Sequence, residues 1–399
     1  MSINYCAKCL IPDSRPGTTF DHEGVCQACR VAEQRARCLP SSGVWDESRL
    51  ADLFSWARSE ADNASSLYDC IVPISGGKDS IFQVDMAIRH GLRVLGVNAV
   101  PLARSQLRAA NMDVIRQLGA DVIEIDIRRP DRARLSRFAL LDVGIPNWPQ
   151  HILSVTAPFH VAIDMGIKLI LWGENPEQEY GGPQDLASLT EMTADWFARR
   201  GGAEAASIKK MEELTGLHLD GDRWFSMPNA EAIKRHGIKA AFLGQHTQWD
   251  SLRSWFVALG CGFETASKVP QGALWPFENL DDPLYLFHDW IKFLKYGFGR
   301  ASDHASISVR QGLMSREDAG RIIARLEGRF PEKYLEWSVD HLLDLLELDL
   351  DVFDELCGKI ANKDLFKLDI SNRLIFYNGR PRLTDQFLKA RELAGIVES

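Results

Sequence analysis

The sequence predicts a doubly wound α/β fold built on a parallel sheet, preceded by a small cysteine-stapled module and followed by a helical region. Three observations predict it. Strand-length apolar runs alternate with helix-length amphipathic stretches between residues 68 and 250, cysteines cluster in CxxC pairs at the N-terminus, and apolar spacing beyond Trp249 is helical.

The N-terminal module comes first, at residues 1–40. Its stretch "NYCAKCLIPDSRPGTTFDHEGVCQACRVAEQ" is rich in turn formers and short of core residues. So small a module offsets its chain entropy only with a staple. Cys6 and Cys9 form one CxxC pair, Cys26 and Cys29 another, and sixteen residues separate the pairs. Two such knuckles close a tetrahedral thiolate site, so structural zinc is expected there, with no open position for catalysis. Cys38, Cys70, Cys261 and Cys357 are scattered and read as core or idle thiols.

A linking helix is expected within 41–67, from Trp45 to about Ala64. Strands at 69–74, 93–98 and 121–126 then alternate with helices at 79–90 and 105–118. Helices at 131–142 and 150–165 precede a strand "KLILWG" at 168–173, and a fifth run, "KAAFLG", lies at 239–244. Strands separated by helices of this length make right-handed βαβ units, which places the α/β domain at 68–250. In the C-terminal region, 251–399, helices are expected at 283–296, 316–327, 331–347 and 350–361, the second opened by Ser315 with Asp318. The leucines of "DHLLDLLELDLDVFDEL" recur at helical spacing with carboxylates between them, which predicts a core-facing stretch with a solvated acidic face.

Composition narrows the partners. The net charge of −9 provides no global basic field, so a large nucleic-acid partner is not expected. No apolar run is long enough to span a membrane, and the first residues lack a secretory pattern, so a cytoplasmic protein is expected.

The chemistry centres on "CIVPISGGKDS", residues 70–80, where an apolar run enters a glycine turn and a helix follows. A Walker loop needs Gly-x4-Gly-Lys-Ser/Thr, but Val72 stands at the first glycine position and Asp79 follows Lys78, so that reading fails. What remains is a cradle in which Gly76 and Gly77 let backbone N–H groups approach an anion. Ser75 and Ser80 add hydroxyls, and Lys78 adds charge. Asp79 is a candidate to orient the loop or hold magnesium.

SGGKDS resembles the signature of the PP-loop ATP pyrophosphatases, whose adenine nucleotide alpha-hydrolase-like fold is doubly wound. The resemblance implies ATP as substrate and adenylation of a carbonyl oxygen, with pyrophosphate released. By the same analogy, backbone groups of Val97 and Asn98 in "VLGVNAV" lie beside the adenine. Further stretches, "LILWGENPEQEYGG", "FLKYGFGRASDHASISVRQGLMSREDA" and "GRFPEKYLEWSVDHLLDLLELDLDVFDEL", together with the cysteine module, resemble the N-acetyl sugar amidotransferase family in order and over nearly the full length. That implies ATP-dependent replacement of an N-acetyl oxygen by nitrogen, in acetamidino sugars of lipopolysaccharide O-antigens or nonulosonic acids such as pseudaminic and legionaminic acid. The resemblance also implies separate glutaminase and cyclase-like subunits that hand over ammonia. The chain itself offers no glutaminase signature, since Ser2 follows Met1 and Cys261 lacks a Gly-x-Cys-x-Gly elbow.

For the second half-site, Gly173, Glu174 and Asn175 follow the fourth strand at the sheet edge that carries the glycine loop. Glu174 and Asn175 are candidates to orient the acetamido group or deprotonate ammonia, with Tyr180 lining the substrate. Glu177 and Glu179 read as solvated. Lys292, Lys295, Arg300, Asp303 and His304 concentrate charge near two glycines, and Lys295 and Arg300 are candidates to clasp phosphate while Asp303 and His304 meet substrate. The GxGxxS spacing there is no dinucleotide fingerprint, since no strand precedes it. One departure from the family pattern is Asn147-Trp148-Pro149-Gln150-His151, where many members carry a cysteine- and histidine-bearing stretch. Two other readings compete: a tRNA-modifying PP-loop enzyme using Arg128, Arg129, Arg132, Arg134 and Arg137, and a non-catalytic nucleotide-binding scaffold.

Overall fold

The apolar runs pair into one sheet of five parallel strands: β1 (Cys70–Pro73), β2 (Val94–Ala99), β3 (Asp121–Ile125), β4 (Leu169–Trp172) and β5 (Lys239–Phe242). The structure is a computed structural model and describes residues 3–38, 47–200, 207–219 and 222–397. Strand order is β3-β2-β1-β4-β5, so the winding reverses between β1 and β4. At such a switch point the loops leaving adjacent strands diverge and open a crevice at their carboxyl ends.

Both faces of the sheet are covered, as the apolar runs of β1 and β4 require. Side chains of alternate strand residues point to opposite sides. Ile71, Leu95, Val97 and Ile170 pack with α5 (Arg129–Val143) and α6 (Trp148–Met165). Cys70, Val72, Val94 and Leu169 pack with α2 (Ser48–Asn63), α3 (Lys78–Arg89) and α4 (Gln106–Gln117). The expected start of α2 at Trp45 lies outside the described residues. This is a doubly wound parallel sheet, with a helical C-terminal region and a four-cysteine N-terminal cluster.

The C-terminal region departs from expectation in three places. A helix at Ser251–Gly260 lies on α3, begun by Asp250, whose carboxylate accepts the Arg253 N–H. Its stripe is hard to see in sequence because Phe256 and Leu259 are exposed. The stretch expected as a helix over 331–347 opens instead as a hairpin, Lys333–Tyr334 with Trp337–Ser338, turning through Leu335 at φ 53°. Its helix begins only at Val339, where the Ser338 hydroxyl accepts the His341 N–H. The helix Tyr285–Tyr296 ends at Gly297, and a new helix, Arg300–Arg310, follows at once. The acidic leucine-rich stretch divides into Val339–Leu345 and Leu350–Ile360. It buries Leu342, Leu343, Leu346, Phe353 and Leu356, consistent with a core-facing role.

The cysteine module contains a helix that its turn-rich sequence did not announce, α1 (Gln27–Cys38). It is fastened to the C-terminal region by named bonds. The Ser306 hydroxyl donates to the Cys9 carbonyl at 2.7 Å and the Ser14 hydroxyl to the Tyr296 carbonyl at 2.6 Å.

Candidate active site

The loop leaving β1 enters α3 without a side-chain cap on Gly77, so the first-turn N–H groups are left for a ligand. The loop keeps its shape through its own hydroxyls. Ser80 Oγ accepts the Ser75 N–H at 3.0 Å and Ser75 Oγ accepts the Gly77 N–H at 3.3 Å. Gly76 has φ +88°, and a Cβ there would lie 3.2 Å from the Arg108 carbonyl oxygen, so glycine is required on both counts.

Lys78 is buried at 4% exposure, with Nζ 2.8 Å from Asp79 Oδ2 and 3.3 Å from Glu278 Oε1. Burial works against its charge, but Asp79 and Glu278 more than compensate and hold it protonated well above its usual range. Glu278 in turn faces His304 Nε2 at 3.8 Å. Burial raises its pKa, yet the Lys78 charge outweighs burial and keeps it ionised. His304 is held neutral, at about 4, by desolvation. The remaining Asp79 oxygen, Oδ1, is buried without a partner, which fits a carboxylate that receives a magnesium ion.

Glu174, at the end of β4, is raised to about 7 by burial and by the Asp79 charge. A carboxylate poised there serves as a general base near neutrality. Tyr180 lies close, its phenol pushed well above 10 by burial and by Glu174.

Facing the loop is a wall of paired charges. Arg300 grips Asp289 through two bonds of 3.1 Å and stacks on the Tyr285 ring at 5.1 Å. Asp303 receives Lys292 at 2.6 Å and Arg15 at 2.5 Å, and Arg15 also covers the Tyr180 ring at 5.3 Å. Asp281 reaches back to the Ser75 hydroxyl, and burial raises it above the usual carboxylate range.

The structure thus gathers Ser75, Gly76, Gly77, Lys78, Asp79, Ser80, Glu174, Tyr180, Arg300, Asp303 and His304 about one crevice. Five expected contributors have engagements of their own. Asn175 donates to the Leu186 and Leu189 carbonyls at 2.9 and 3.2 Å and accepts the Glu177 N–H, which caps the short helix α7 (Pro176–Tyr180), so its amide is spent on backbone. Lys295 donates to the Val143 carbonyl at 3.2 Å, at the end of α5, and is not a phosphate clasp. The Val97 carbonyl accepts the Ile74 N–H at 2.9 Å within the sheet, so that group is not free for adenine, and the Asn98 side chain ties Ile74 O to Arg108. Gly173 is a packing glycine, since a Cβ would come 2.7 Å from the Trp249 ring.

Glu179, expected to be solvated, is instead raised by burial and set between Arg310 and Arg35. Glu278, Asp281, Tyr285 and Asp289 were missed. The signal was the carboxylate-dense turn "PFENLDDPLY", which has no periodicity to draw attention. The arginine run is dispersed: Arg128 pairs with Asp131, Arg132 is buried on the Val100 carbonyl, and Arg137 meets Glu347.

The four cysteine sulfurs lie within 4.8 Å of one another and are buried, with Cys6 and Cys29 Sγ 3.9 Å apart and Cys9 and Cys26 3.6 Å apart. Backbone N–H groups of Lys8 and Cys26 point at Cys6 Sγ, and that of Cys29 at Cys26 Sγ. Such donors stabilise thiolates, and the set fits tetrahedral zinc. Cys70 and Cys357 are buried core thiols.

Residues 265–377 match the family model described as LPS biosynthesis protein WbpG-like, C-terminal domain, and this segment carries the whole wall from Glu278 to His304. Among solved structures, the NMN synthetase from Francisella tularensis is similar at 14% identity. The match covers 48% of this chain and 93% of that one, with a TM-score of 0.27. No curated protein sequence matches the chain. Among the described residues, no helix is long and apolar enough to cross a membrane.

Proposed function

We propose that this protein is an ATP-using enzyme of surface-glycan biosynthesis, and more finely an AMP-forming amidotransferase that converts an N-acetyl group of a sugar to an acetamidino group. The observation that carries the reading is Lys78, fixed between Asp79 and Glu278 in an uncapped glycine loop and facing a base-poised Glu174 beneath a WbpG-like domain.

An amide oxygen is a poor leaving group. In the proposed sequence that oxygen attacks the α-phosphorus of ATP, the bond to pyrophosphate breaks, and the N–H groups of the loop with Lys78 receive the departing pyrophosphate. Ammonia then adds to the activated carbon, Glu174 takes the surplus proton, and AMP leaves carrying the former amide oxygen. Asp79 would hold magnesium, which neutralises phosphate charge when bound. Zinc on Cys6, Cys9, Cys26 and Cys29 is structural in this reading. Ammonia would come from separate glutaminase and cyclase-like subunits, and the site of action would be the cytoplasm. The proposed parts are the ribbon 1–40, the linking segment 41–67, the PP-loop domain 68–250 and the helical region 251–399.

A tRNA substrate is disfavoured by the dispersed arginines, which present no stripe for a phosphate backbone. The test is incubation with ATP, ammonium and N-acetylated sugars, free, nucleotide-linked and lipid-linked. AMP and a product in which NH replaces O are expected, and ADP in place of AMP would exclude the mechanism.

A further inference from the structure

Next to the charged wall lies a cluster of polar side chains that the mechanism above leaves unused. Three rings form a triangle: His151 from α6, and Tyr285 and His288 from the helix Tyr285–Tyr296. Their centroids are 6.2 Å apart for His151 and Tyr285, 6.1 Å for His151 and His288, and 5.8 Å for Tyr285 and His288. His151 Nε2 lies 3.4 Å from the Tyr285 hydroxyl.

Around this triangle, polar atoms are buried without partners: Asn147 Oδ1, Gln150 Oε1 and His288 Nδ1. Asn147 is only 2% exposed, and its amide nitrogen is fixed at 2.5 Å on Asp282. Desolvated acceptors and donors are rarely left unmade, so several at one locus are the mark of groups completed by a ligand. Arg300, stacked on Tyr285, joins this cluster to the crevice of the glycine loop.

The chemistry of the lining selects the ligand. Desolvation holds His151 at about 4 and His288 at about 3, so both rings are uncharged near neutral pH. Arg300 is already neutralised by Asp289, while Asp281 and Asp282 stand close to Tyr285. Such a lining repels phosphate and suits hydroxyls, which both donate and accept. The donor atoms are not gathered for a metal, because among the described residues only the cysteine cluster brings three or more ligating groups together.

We propose that the cluster of Asn147, Gln150, His151, Tyr285 and His288 is part of the subsite for the neutral, polyhydroxylated ring of the acceptor, with Gln150 and His288 reading its hydroxyls. This rests on the sugar reading above.

The experiment measures wild type, Q150A and H288Q with a panel of N-acetylated sugars. AMP release gives KM and kcat, saturation-transfer NMR reports sugar contact, and nucleotide titration reports ATP binding. Expected is a rise in sugar KM of about tenfold or more in each variant, the loss of one buried hydrogen bond, with ATP affinity unchanged. Active wild type with unaltered KM in both variants would overturn the subsite while leaving the reaction standing. If wild type releases no AMP but contacts sugar, and both variants lose that contact, the subsite stands and the reaction falls. Absence of sugar contact in wild type would overturn the subsite. H288Q retains a polar side chain of similar reach, and unchanged ATP affinity certifies its fold.

Discussion

The glycine loop and the wall that faces it from residues 278–304 meet across one crevice, yet they are built on opposite plans. The loop leaves the first N–H groups of α3 uncapped and keeps its shape through its own two hydroxyls, with a single buried cation, Lys78. The wall works through side chains from scattered positions, with its charges matched in pairs: Arg300 with Asp289, and Lys292 and Arg15 with Asp303. A backbone site tolerates change except where a glycine or its one cation is needed. A lattice of buried pairs fails differently, because removing one member leaves the other charged and desolvated.

That contrast can be broken most severely at Lys78. Its replacement by alanine should lower AMP formation by about a hundred- to a thousandfold, the scale of losing one preorganised electrostatic contact, and steady-state AMP assays would read it. A near-normal rate would reduce the loop to a turn.

Glu174 sharpens the comparison, because it belongs to neither side. With free ammonia held constant, activity should fall as pH drops through about 7, the value to which burial and Asp79 raise this carboxylate, since only the ionised form accepts a proton. E174Q should cost about a hundredfold and flatten that limb. Folding has the opposite sign: a raised carboxylate is bound to its proton in the folded state, so its contribution weakens as pH rises from the unfolded value through 7. E174Q should therefore melt no lower than wild type at pH 8, which separates catalytic loss from unfolding.

The cysteine module tests the wall from behind. Arg310 joins Cys9 Sγ at 3.4 Å to the Glu179 carbonyl at 2.7 Å, and Arg15 reaches Asp303. Cys9→Ser or chelation should release zinc, lower the melting temperature and weaken activity together, while leaving the loop sequence intact. Metal analysis beside thermal melts checks this.

Smaller effects separate site from scaffold. Asn175→Ala should cost about 1–2 kcal/mol of stability, through a lost cap and unpaired carbonyls, with kcat nearly unchanged in the surviving fold. Lys295→Ala should matter least, about 0.3–1 kcal/mol for a cation at a helix end, with KM for ATP unaffected. A large KM effect would restore Lys295 as a phosphate clasp.

How much of this was legible in the sequence follows from the same contrast. The sheet could be read because runs such as Cys70–Pro73 and Leu169–Trp172 are apolar on both faces, and the loop because Gly76, Gly77 and Lys78 are neighbours in the chain. Cys6, Cys9, Cys26 and Cys29 were readable for the same reason. Asn175 and Lys295 looked functional because polar residues beside a motif are ambiguous until their partners are known, and here those partners are backbone carbonyls. Glu278 and Asp289 carry no local pattern. Only the docking of the helical region on the crevice brings Glu278 to Lys78, and tertiary placement of that kind leaves no trace in spacing.

The central claim is that the loop directs cleavage between the α and β phosphates so that an amide oxygen leaves with AMP. Its most direct test is a single turnover with an acceptor whose acetamido oxygen carries a heavy isotope, followed by mass analysis of the nucleotide. The account predicts the label in AMP. Label retained in the sugar, or released to water with ADP formed, would contradict it.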